Sequence, residues 1–142
     1  MKIAFETISV KTKERLQFMD ITRMVRESLG KHPIKNGILL LNTLHTTAAL
    51  FINEFQAALI EDMKKILAHL IEDTDDYRHN DPRFSDCTRG NADSHLRAML
   101  LARTLALPVK AGEIVLGRWQ SIIFAELDGP QERDIQLQLL GE

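Results

Sequence analysis

The C-terminal third restricts the fold most, because its apolar residues recur with a period of two. Between 134 and 139, Ile135, Leu137 and Leu139 alternate with Asp134, Gln136 and Gln138. Alternation of this kind suits a strand with one buried and one solvated face, and no helix presents it. Two further strands are predicted at 113–116 and 119–126. The turn signals Ala111-Gly112 and Asp128-Gly129-Pro130 bound them. A sheet with one apolar face must bury it against a second layer, and the rest of the chain has to supply that layer.

Upstream, Ile3 and Phe5 share one parity while Ile8 and Val10 share the other, which predicts a strand with an irregularity near Thr7. Leu16 and Phe18 suggest a second short strand. Asp20 is placed to cap a helix carrying Ile21, Met24, Val25 and Leu29, and Gly30 and Pro33 end it. The apolar run 38–41 reads as a strand buried on both faces, and another strand spans about 47–52. Asn53 then precedes a long helix with Leu59, Met63, Ile66, Leu67 and Leu70 inward. Residues 72–90 form a long polar loop, of the kind compact domains keep mainly for function. A third helix follows, capped by Asn91 with Leu96, Met99 and Leu100 inward. The expected class is α+β: one domain over 1–142, with a largely antiparallel or mixed sheet and about three helices packed on it.

Composition narrows the function classes. No apolar run approaches the roughly 20 residues needed to cross a bilayer. No basic start leads into an apolar stretch, so a cytoplasmic protein is expected. A formal net charge of −2 leaves no nucleic-acid footprint. The single cysteine, Cys87, excludes an internal disulfide and a cysteine-based zinc ribbon.

Five histidines stand out in so short a chain. His45 ends a strand, His79 lies in the long loop, and His95 lies in the first turn of the third helix. Each is near the end of a regular element, where distant segments converge. Three imidazoles and an open position are a common catalytic zinc arrangement, and a helix N-terminus favours the neutral ring that a metal needs. Their spacing matches no local zinc motif, so the alternative stands that they are hydrogen-bonded or surface residues. His32 and His69 read as structural.

Among the acids, Glu54 and Asp62 are eight residues apart in one predicted helix and would face alike. For Glu54, service at the helix start is the favoured alternative. Glu126, ending an apolar strand, suits a general base or a group behind a metal ligand, or simply a solvated strand end. An anion site is suggested where Arg89-Gly90-Asn91-Ala92 leads into the third helix, with Arg83 beside it and Arg118 before Trp119. The competing reading leaves Asn91 as a cap and the arginines paired with nearby aspartates.

Six strings occur in order: HTTAALFINE, EDM, YRHND, GNADSHL, LPVKAGEIVLGRWQSI and AELDGPQERD. Together they resemble the YjbQ-like family, also called the secondary thiamine-phosphate synthase family, from about Ile38 onward. The resemblance implies a compact α+β fold assembling as a homotrimer, with histidines gathered in a metal-site-like pocket near the subunit interface. Carried over, the metal candidates are His45, His79 and His95, with zinc or another divalent ion as cofactor. The polar companions are Asn53, Glu54, Asp62, Asn91, Gln120 and Glu126. It also implies a weak coupling of a hydroxymethylpyrimidine diphosphate to a thiazole phosphate, with loss of diphosphate. The chain departs from the family pattern at Arg118, where Thr is common, and at Phe55-Gln56-Ala57. The expectation is a metal-dependent enzyme acting on a small phosphorylated molecule. In it Glu54, Asp62 and Glu126 are catalytic candidates, and Asn53, Arg89, Asn91, Arg118 and Gln120 would bind substrate. The alternative is a non-catalytic trimeric metal- or ligand-binding scaffold.

Overall fold

The computed structural model describes all 142 residues. Eight strands form two sheets, and every strand pair is antiparallel. The larger sheet has the order β1 (Lys2–Lys11), β8 (Glu132–Gly141), β3 (Gly37–Thr43), β5 (Thr104–Lys110) and β6 (Glu113–Ile114). The smaller has β2 (Gln17–Asp20), β7 (Ser121–Glu126) and β4 (Ala48–Asn53). The helices are α1 (Thr22–Gly30), α2 (Ala57–Leu70) and α3 (Ala92–Leu100). None is long and apolar enough to cross a membrane.

The alternation in β8 orders the core. Ile135, Leu137 and Leu139 turn inward on the same face as Leu39 and Leu41 of β3 and Ile8 and Val10 of β1, and all seven are buried. This layer meets Leu50 of β4 and Ile122 and Phe124 of β7, with Ile21, Val25 and Leu29 closing one end. The opposite face of β7 is apolar too: Ile123 and Ala125 pack with Phe18, Ile60 and Leu67. The smaller sheet is therefore the middle layer, covered by the larger sheet on one side and α2 on the other. Polar groups in that middle layer are cut off from water and must find partners within the protein.

Several sequence expectations change here. The strand buried on both faces is β7, since β3 leaves Ile38 exposed on the outer face of the larger sheet. β1 pairs with β8 in unbroken register from Lys2↔Gly141 to Lys11↔Glu132, without an irregularity near Thr7. Ile3 and Phe5 simply point outward, and they are 57% and 61% exposed. β5 lay unread in the sequence because Pro108 interrupts its pattern; its carbonyl still accepts from Val115 N at 2.9 Å. Asp20 acts at the start of α1 by accepting from Thr22 N at 2.9 Å.

The second helix begins later than expected. Gln56 caps α2, its Oε1 accepting from Leu59 N at 2.8 Å, so Asn53 ends β4 and Glu54 lies in the connection. Ile66 and Leu70 are exposed on α2, and Met99 and Leu100 on α3. The buried face of α3 is Ala92, Asp93, Ser94 and Arg97. It is a mostly polar face because Asp93 lies 2.8 Å from Arg15 and 3.0 Å from Arg97, and Ser94 Oγ donates to the Leu127 carbonyl. Arg97 in turn donates to the Ile71 carbonyl at 2.7 Å, tying α3 to the end of α2.

Candidate functional site

His45 follows β3 in the turn leading to β4. Asp134 N donates to His45 Nε2 at 2.8 Å, so the ring uses that nitrogen as acceptor and carries its proton on Nδ1 when neutral. Burial, and then the positive charge of Arg133, hold its pKa below the usual imidazole value. His95 sits in the first turn of α3. Burial, and then the neighbouring His79, lower its pKa as well. Both imidazoles line one cavity of about 500 Å³, together with Asn42, Thr43, Thr46 and Arg103. The arrangement presents two rings that favour the neutral form beside several hydrogen-bonding groups, and His45, its Nε2 taken by Asp134 N, offers only Nδ1–H as a donor.

His79 adjoins His95 but does not line that cavity. The long loop makes a single 3₁₀ turn at Arg78–Asn80, and Asn80 fastens it. Asn80 Nδ2 donates to the Thr74 carbonyl, and its Oδ1 accepts from Ala92 N, both at 3.0 Å. His79 then packs edge-on against His95, with ring centroids 4.9 Å apart. Its Nε2 donates to Asn91 Oδ1 at 3.2 Å, while Asn91 Nδ2 donates to Asp128 Oδ2 at 2.8 Å. Asp128 therefore orients Asn91, and Asn91 orients His79. Burial pushes the Asp128 carboxyl up, but bonds from Arg89 and Asn91 outweigh it and leave the pKa lowered.

The three imidazoles do not close on one point within the chain: no group of three or more His, Cys, Asp or Glu side chains converges to hold a metal. His79 and His95 adjoin, but the Nε2 of His45 is engaged by Asp134. Within one chain only two of the three candidate imidazoles adjoin, and they do not fit the three-ligand site that a catalytic zinc ordinarily takes.

Other residues singled out from the sequence lie apart from this cavity or are used internally. Glu126 is fully buried in the middle layer and ion-paired with Arg133, Nε to Oε2 at 2.7 Å. It also accepts from Thr12 Oγ1 and from Asp128 N, each at 2.9 Å. With those partners its carboxylate has no path to a substrate and serves as an internal crosslink. Arg89 pairs with Asp128 at 2.8 Å. At the start of α3, Asn80 takes the Ala92 N–H, and the Asn91 carbonyl takes those of Ser94 and His95. The buried Asp93 adds a carboxylate there, so this helix start offers no cradle for an anion. Asn91 holds the cap position, but its side chain serves His79 and Asp128.

Arg118 lies over the exposed Trp119 ring, 4.7 Å from its centroid, and Gln120 Oε1 accepts from Gly117 N at 2.7 Å in the same turn. Asn53 Oδ1 accepts from Glu54 N at 2.8 Å. Asp62 lines a separate recess on α2 with Lys65, Ile66 and His69, and shares no helix with Glu54. His32 contacts Glu6 at 3.1 Å, a structural placement.

Sequence reading missed Arg103. It stands just before β5 with no motif around it, and only the pairing of β3 with β5 carries it to the cavity wall.

The profile of the UPF0047 protein YjbQ-like family matches residues 6–142. The chain belongs to this family. A UPF0047 protein of Methanothermobacter thermautotrophicus is 39% identical over 142 residues, covering 100% of this chain and 95% of that protein. The UPF0047 protein YugU of Bacillus subtilis is 31% identical, covering 96% of this chain and 98% of its own. Among solved structures, a protein of unknown function from Sulfolobus solfataricus superposes with a TM-score of 0.91 at 38% identity, covering 99% of each chain. One from Aeropyrum pernix gives 0.89 at 36% identity, covering 98% of this chain and 99% of its own. The UPF0047 fold thus extends over the whole chain, and the paired sheets belong to it.

Proposed function

We propose that this chain is an enzyme acting on a small phosphorylated molecule in the cavity between His45 and His95. The observation that carries the reading is that two imidazoles from different elements, both with lowered pKa, line one concave wall. Neutral His95 there accepts a proton or accepts a hydrogen bond from a phosphate hydroxyl, and Nδ1–H of His45 is a donor for a leaving oxygen. The reaction to assay is the thiamine-phosphate synthase type. In it the thiazole nitrogen attacks the methylene carbon of the pyrimidine diphosphate, the carbon–oxygen bond breaks, and diphosphate leaves with the electron pair.

A divalent ion, zinc among the choices, is proposed as an alternative occupant, with His79 and His95 as two of its ligands and the others supplied from outside the chain; His95 would then be a ligand and not a proton acceptor. No chemical step is assigned to it. The proposed assembly is a homotrimer. Support for association comes from the outer face of the larger sheet, where Ile3, Leu140, Ile38 and Pro108 form one row across four strands. The same apolar face favours a second reading, a trimeric binding or scaffold protein without turnover. A cytoplasmic setting is part of the proposal and fits a chain with one thiol and no disulfide.

Turnover separates the two readings. Diphosphate release is measured with both thiamine precursors in wild type, His45→Ala and His95→Ala. The enzyme reading expects release in wild type and a loss of about 100-fold or more in each variant, the scale of a general acid–base contribution. Release that survives both substitutions unchanged would remove the cavity from the mechanism.

A further inference from the structure

The ten arginines of the chain are almost all accounted for. Arg15, Arg23, Arg26, Arg83, Arg89, Arg97 and Arg133 each pair with a carboxylate. Arg78 and Arg118 lie over aromatic rings. Arg103 alone has neither kind of partner, and it lines the cavity that holds His45 and His95.

Its backbone is fixed where its side chain is free. The Arg103 carbonyl accepts from Thr43 N at 3.0 Å, and the neighbouring Ala102 carbonyl accepts from Leu50 N at 2.8 Å. Thr104 adds a bond from its hydroxyl to Asn42 Oδ1 at 2.8 Å. These bonds hold the base of Arg103 against the end of β3 and the body of β4, the elements that flank His45. No carboxylate lines the cavity to neutralise the guanidinium. An uncompensated cation on a fixed backbone at a concave wall draws an anion, and the guanidinium fork matches two phosphate oxygens at once.

We propose that Arg103 is the phosphate-anchoring residue of the His45/His95 cavity and sets its preference for ligands bearing a phosphoryl or diphosphoryl group. The proposal rests on the functional reading above and names the group that selects the substrate class. It places that role on Arg103 rather than on Arg89 or Arg118, whose guanidinium groups are already engaged.

Calorimetric titration with inorganic diphosphate at low ionic strength tests it, using wild type, Arg103→Gln, Arg103→Lys, Arg118→Gln and the cavity-blocking Thr46→Trp. All should melt within a few degrees of wild type, because Arg103 and Thr46 are exposed. The expected result is a loss of affinity of about 10-fold or more in Arg103→Gln, a smaller loss in Arg103→Lys and none in Arg118→Gln. Binding should vanish in Thr46→Trp. Diphosphate bound equally by wild type and Arg103→Gln, yet lost in Thr46→Trp, overturns the role of Arg103 and leaves the cavity standing. Binding unchanged in Thr46→Trp, or absent from wild type, overturns both.

Discussion

Glu126 is the residue for which sequence and structure imply the most different consequences of substitution. In Glu126→Ala, the carboxylate that accepts from Arg133 Nε, Arg133 Nη2, Thr12 Oγ1 and Asp128 N disappears. The guanidinium of Arg133, 5% exposed, stays behind without a counter-charge, holding only its bonds to Thr47. Removing one partner of a buried pair costs about 3–5 kcal/mol, because a desolvated charge is left unpaired. For a domain of this length each kcal/mol moves the melting midpoint by roughly 3–5 °C, so the midpoint should fall by ~10–20 °C. Thermal melts followed by circular dichroism measure this, with urea unfolding as a second probe. The double variant Glu126→Met, Arg133→Met removes both charges, and should be less destabilised than the sum of the two single changes by at least ~1 kcal/mol. A single variant within about 1 kcal/mol of wild type, or strict additivity in the double, would refute the crosslink argument. A catalytic acid at this position would instead lose turnover while the melt stayed put.

Two further outcomes follow from the same structure. Burial, reinforced by Arg133 at His45 and by His79 at His95, lowers both imidazole pKa values, so below about pH 6.5 the folded chain binds fewer protons than the unfolded one. Stability should therefore fall as the pH drops through and below that value; urea midpoints at pH 7.5 and 5.5 measure the slope, and a His45→Gln, His95→Gln double variant should flatten it. In β3, a methyl group added at Gly37 would meet the backbone of Leu140 and Gly141 on β8, so Gly37→Ala should cost roughly 1–3 kcal/mol in chemical unfolding. A variant as stable as wild type would mean the β3–β8 pair is less tightly apposed than described.

The parts of the fold that were legible in the sequence carry a strong local signal. β8 was readable because one face of it is buried against the core along its whole length. The same rule misled at β1 and β3, because the outer face of the larger sheet is itself apolar, so Ile3, Phe5 and Ile38 look like core residues. At α2, the Asx-type bond from Asn53 to Glu54 N mimics a helix start three residues before Gln56 supplies the cap. Within the site, His45 and His95 could be singled out because element ends place them at a cavity. The internal use of Glu126, Arg89 and Asn91 could not be read, since each depends on a partner brought by another element. Arg133 carries a trace of that signal, as it and Glu126 flank the turn that joins β7 to β8. Arg103 carries none, for its significance lies in having no partner at all.

In the proposed function His45 and His95 face the cavity that receives the phosphorylated ligand. Long-range ¹H–¹⁵N spectra of the five imidazoles, recorded while the thiazole phosphate is titrated in, test it most directly. The His45 and His95 resonances should move together with a single saturation curve, while His32 and His69 stay fixed. Movement confined to His32 or His69, or five unmoved rings at millimolar ligand, would contradict it.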